Sequence, residues 1–177
     1  MTEYQQITDL ALDARIRARY QGDIAALEAL GFRYLAGCLE IQGPFSAILQ
    51  LPVLLLTLPK REILVFRSPL RMGIANALLY HHDPPAIVLC MGMGIKFYSR
   101  FSSGALLITS TFQSYAVPRA GSNILKLNPS ADIAQAWSAH GEAVRNLEHG
   151  KGPARTLARF EDYVELSRQE EDLSQYE

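Results

Sequence analysis

Between Met72 and Phe112 the chain runs apolar in the short, turn-bounded stretches that strands require. Asp83-Pro84-Pro85 precedes a segment from Ala86 to Phe101 rich in Ile, Val, Met, Phe and Tyr, and Ser102-Ser103-Gly104 follows it. Three consecutive antiparallel strands are predicted: Met72 to His81, Ala86 to Phe101 and Ala105 to Phe112. The three-residue loop suits a type I turn closed by a left-handed glycine, since only glycine enters that region without steric cost. Such a turn sets a register in which Phe101 faces Ala105, Tyr98 faces Ile108, Lys96 faces Ser110, and Phe112 lies across from Gly94. Read as one strand, the middle segment has a heavy face of Ile87, Leu89, Met91, Met93, Ile95 and Phe97. Its light face is Val88, Cys90, Gly92, Gly94, Lys96 and Tyr98, where the two glycines would admit a helix or another backbone at close range.

Helical spacing dominates the flanks. Ile7, Leu10, Ala11 and Ala14, with a second register through Leu12, Ile16 and Tyr20, predict an opening helix that Gly22 breaks. Asp23 is the expected N-cap of a second helix through Ile24, Leu27 and Leu30, closed by Gly31. Phe32 to Ile41 reads as a strand, and Val53 to Leu58 with Glu62 to Arg67 reads as a hairpin about Pro59-Lys60-Arg61. Asn123 to Leu127 is expected as a short edge strand. Ser130 is then the expected N-cap of an amphipathic helix carrying Ile133, Trp137, His140, Val144 and Leu147, with Trp137 buried on the sheet. A final helix is expected from about Ala154 through Leu157, Phe160, Val164 and Leu166. Strands segregated between helices give an α+β fold in a single domain over residues 1–177. Its antiparallel sheet has about six or seven strands flanked by N-terminal and C-terminal helices. By element order alone, a small barrel of the pleckstrin-homology kind also fits.

Composition narrows the partners. Seventeen basic against eighteen acidic residues leave a net charge of −1, which offers nothing to the phosphates of nucleic acid. An apolar content of 49% with 20% charged residues points to apolar surface buried against a protein partner, a homodimer being the simplest. Cys38 and Cys90 are too few for a disulfide framework or a zinc site and are expected as buried thiols. The opening Met1-Thr2-Glu3-Tyr4 lacks the basic start and apolar core of a signal peptide, so a cytoplasmic location is expected. The longest apolar run, Phe45 to Leu58, is shorter than the ~20 residues needed to cross a bilayer. It reads as buried loop and strand, with partner docking or membrane-surface contact as the alternative.

The candidate chemistry is sparse. His81-His82-Asp83 is the one crowding of acid–base side chains, but neighbouring strand residues point to opposite faces and no ligand at metal spacing accompanies them. His140, on the apolar stripe of its helix, is expected to be a core residue whose ring nitrogen meets a backbone carbonyl. Glu161-Asp162 and Glu170-Glu171-Asp172, with Arg159 and Arg168 nearby, read as a solvated face. Gly92-Met93-Gly94 lacks the third glycine and following helix of a nucleotide fingerprint, and Ser99, Ser102 and Ser103 sit in no nucleophile elbow. Lys60, Arg61, Arg67 and Arg71 around Phe66 read as edge-strand charges that block aggregation. No metal and no cofactor are expected.

Leu27-Glu28-Ala29-Leu30-Gly31-Phe32 and the run from Phe97 to Ser110, together with the Trp137 helix, resemble a group of bacterial proteins of unknown function. The resemblance implies a structural kinship and brings no catalytic residue; where its members often carry an acidic residue before the turn glycine, this chain has Ser103. The leading expectation is a non-catalytic module that binds a protein partner or itself. Its expected contact residues are Phe45, Leu49, Leu51, Gly92, Gly94, Phe160 and Val164. The alternative is a hydrolase-type enzyme using His81 or His82 with Asp83.

Overall fold

The computed structural model describes residues 2–42, 62–65, 72–112, 117–118 and 123–175. The strands are β1 (Glu3–Gln6), β2 (Arg33–Gln42), β3 (Glu62–Val65), β4 (Met72–His82), β5 (Pro85–Met91), β6 (Gly94–Arg100), β7 (Leu106–Ser110), β8 (Val117–Pro118), β9 (Ile124–Leu127) and β10 (Ser174–Gln175). The helices are α1 (Leu10–Arg19), α2 (Gln21–Ala29), α3 (Ile133–Lys151) and α4 (Phe160–Leu173). The main sheet runs β1-β2-β4-β5-β6-β7-β9, with β3 pairing off this path on β4, and β8 and β10 form a separate ribbon. Among the described residues all its pairs are antiparallel except β7 with β9, which run parallel. The fold is therefore α+β, with two helices before and two after most of the sheet. Among the described residues its path has two ends, at β1 and β9, and does not close into the barrel that element order also allowed.

The register about Ser102-Ser103-Gly104 is the expected one: Tyr98 pairs with Ile108 and Lys96 with Ser110. Gly104 takes φ +86° and donates to the Phe101 carbonyl at 2.9 Å, closing the turn. Phe112 covers Gly94 as expected, with its ring edge 2.9 Å from where a Cβ would stand. Yet Ala86 to Phe101 is not one strand. It folds back at Gly92-Met93, with Met91 opposite Gly94, because Gly94 adopts φ +142°, which side chains resist. That two-residue turn exchanges the parity of the two halves, so the heavy and light faces do not exist as read. Ile87 and Leu89 share a face with Lys96 and Tyr98, whereas Val88 and Cys90 share the other with Ile95 and Phe97.

Each face carries its own core. On the first, Ala75, Ala77, Leu79, Val88, Cys90, Ile95 and Phe97 meet Ile16 of α1, Leu27 of α2 and Ala136 of α3, and Phe101 and Leu107 continue it under Val144. On the second, Cys38, Leu78, Ile87, Leu89, Tyr98, Leu106, Ile108 and Ile124 pack with Leu157 and with Tyr163 and Leu166 of α4. Cys38 and Cys90 are buried free thiols, as expected, on opposite faces.

Several boundaries differ from the sequence reading. The chain opens with the edge strand β1, whose residues Glu3-Tyr4-Gln5-Gln6 are too polar to signal a strand. α1 is capped by Asp9, which accepts the Leu12 N–H at 2.7 Å. Gly22 lies inside α2 and breaks nothing, and Asp23 sits in its first turn rather than at its cap. Gly31, at φ +93°, ends α2 as expected. The cap of α3 is Asp132, which accepts from Gln135 at 2.8 Å, while Ser130 accepts the Asp132 N–H. α4 begins at Phe160, not near Ala154, because the backbone at Pro153 to Arg155 is paired with Arg100 to Ser102 of the sheet turn instead of with itself. There Asp162 takes the amide protons of Ala158 and Arg159. Trp137 is half-buried rather than buried, its ring 4.7 Å from Phe32 and 5.6 Å from His140. The Phe45 to Leu58 run, with Phe45, Leu49 and Leu51, and Lys60, Arg61, Phe66, Arg67 and Arg71 lie outside the described residues.

Candidate functional site

Among the described residues two polar clusters are buried, one on each face of the sheet. The first joins β6, β7 and α3. Ser99 and Thr109 are neighbours one strand apart on the same face, and His140 descends on them from mid-helix. All three are fully buried. Ser99 donates to the Pro85 carbonyl at 2.6 Å, so toward His140 Nε2, at 2.9 Å, its oxygen can only accept. Nε2 therefore carries the ring proton, and Thr109 donates to Nδ1 at 2.8 Å. Burial pushes the His140 pKa down to about 3, keeping the imidazole neutral. A serine within reach of a histidine is the geometry of an activated nucleophile, but here the proton sits on the nitrogen that would have to receive one. The three side chains satisfy each other and form a structural tie. His140 is a core residue, as expected, although its partners are hydroxyls rather than a backbone carbonyl.

The second cluster lies under α4. Glu170 is buried, so it is no part of a solvated face. Its Oε1 pairs with Lys96 at 3.0 Å and Lys126 at 3.2 Å, and its Oε2 accepts from Lys96 at 3.2 Å and from the Tyr98 hydroxyl at 3.0 Å. Burial raises the pKa of this carboxyl, but the Lys96 and Lys126 ammonium charges and the bonds from Lys96 and Tyr98 together outweigh it. They hold the pKa below the usual carboxylate value. Glu171 beside it accepts the Tyr4 hydroxyl at 2.7 Å, tying α4 to β1. Asn76 of β4, opposite Cys38 and two residues from Leu78, is on this same face and fully buried. Neither its amide nitrogen nor its oxygen has a hydrogen-bond partner among the described residues, a state that costs about 1–3 kcal/mol per group.

His81 and His82 lie on opposite sides of β4. His81 packs its ring 4.9 Å from both Phe32 and Trp137 on the first face, and its Nδ1 accepts the Asp83 N–H at 3.2 Å. Gly31 permits this, since a Cβ there would stand 2.9 Å from Nε2. His82 points to the other side, exposed beside the Tyr80 ring at 5.0 Å. Asp83 is an exposed turn residue. Gly92 and Gly94 line an open cavity of about 420 Å³ with Met91, Met93, Arg19, Tyr20 and Asp23. Phe160 packs partly buried on the second core, and Val164 is half-buried. Among the described residues, no three His, Cys, Asp or Glu side chains gather as metal ligands, and no helix is long and apolar enough to cross a membrane.

The sequence reading missed Ser99 with Thr109 as a pair, and Lys96 with Lys126 and Glu170. The first pair follows from the expected β6–β7 register, since Ser99 and Thr109 take the same parity. The second needed the parallel placement of β9, for which the sequence has no local signal. Set against protein-family models, curated proteins and solved structures, the chain finds no match in any of the three.

Proposed function

We propose that this chain is a non-catalytic module of the cytoplasm that binds a protein partner or a second copy of itself. What carries the reading is the closure of both buried polar clusters. In each, the acid–base groups are committed to one another by short hydrogen bonds, and neither lines the cavity at Gly92 and Gly94 or the one bounded by Arg100, Glu165 and Asp172. A catalytic site needs convergent polar groups that a substrate can reach. Apolar side chains left in solvent favour contact with protein: Leu125 and Leu127 project from the edge strand β9, and Met93 stands at the rim of the cavity beside Gly92 and Gly94. The hydrolase alternative has less support, because His81 and His82 diverge and His81 Nδ1 is occupied by the turn backbone.

Two measurements on the full chain test this reading. A panel of ester, amide and phosphoester substrates should show no turnover, and turnover abolished by His82→Ala or His81→Ala would overturn it. Light scattering over a dilution series then reports association: a mass that rises above 19.7 kDa with concentration marks self-binding.

A further inference from the structure

We draw no further inference here: the strongest candidate, the apolar patch of Leu125 and Leu127 on the edge strand β9, carries nothing because nothing in the structure shows what covers it.

Discussion

Ser99 Oγ lies 2.9 Å from His140 Nε2 in the middle of the fold, and the serine's hydroxyl donates to the Pro85 carbonyl. The pair consequently ties α3 to β6, and its consequence appears in stability against pH. The folded-state pKa of His140 is depressed to about 3, so an unfolded chain takes up a proton below about 6.5 that the folded chain refuses. Stability is complete above that value and falls as pH drops toward 3, by up to about 1.4 kcal/mol per unit. Denaturant melts of wild type and His140→Gln across this window should show the slope only in the wild type. A variant that keeps the slope would place its origin elsewhere.

Glu170 gives a second, more acidic step. Its folded pKa is lowered, so its contribution is present above the unfolded carboxylate value and is lost as pH falls through the folded one. At neutral pH, Glu170→Gln should cost about 3 kcal/mol, since it removes the buried carboxylate that the Lys96 and Lys126 ammonium groups share. The gap between variant and wild type should narrow below about pH 4. A gap that stays constant down to acid unfolding would mean the carboxylate charge is idle.

At Gly37 α1 packs tightly on β2. Asp13 accepts the Gly37 N–H at 2.9 Å and the Tyr34 hydroxyl at 2.6 Å, and a Cβ on Gly37 would stand 3.0 Å from the Asp13 carboxylate and 3.1 Å from Ile16. Gly37→Ala should therefore destabilise by about 1–3 kcal/mol through forced displacement of α1. Thermal melts that show no loss would imply that α1 shifts freely.

Trp137 bridges Phe32, His81, Phe97 and His140. Because the ring is half-buried, Trp137→Ala should cost about 3 kcal/mol, the lower end of the range for aromatic truncation. A loss under about 1 kcal/mol in denaturant melts would contradict this packing.

The parts of the fold written in local chemistry were legible. Ser102-Ser103-Gly104 fixed a turn and with it the pairing of Lys96 with Ser110 and Tyr98 with Ile108, because loop length and a left-handed glycine determine register. Gly92-Met93 was not read as a turn, since the apolar residues on both sides mimic one long buried strand, and the error propagated to every face assignment after it. β1 was hidden by its polarity, the cap at Asp9 by the helical spacing that starts at Ile7, and the cap at Asp132 by Ser130 two residues before it. Of the polar clusters, His140 was visible as a core histidine. Glu170 looked like any acid in a charged helix, because burial of a charge depends on the lysines that β6 and β9 bring from more than forty residues away.

Labelling of the full chain with a fluorophosphonate tests most directly whether the Ser99–His140 pair is a structural tie rather than a reactive centre. Ser99 should stay unlabelled in the folded chain, since it is fully buried and its hydroxyl donates to the Pro85 carbonyl. Labelling of Ser99 under native conditions, read by peptide mass spectrometry, would contradict the account.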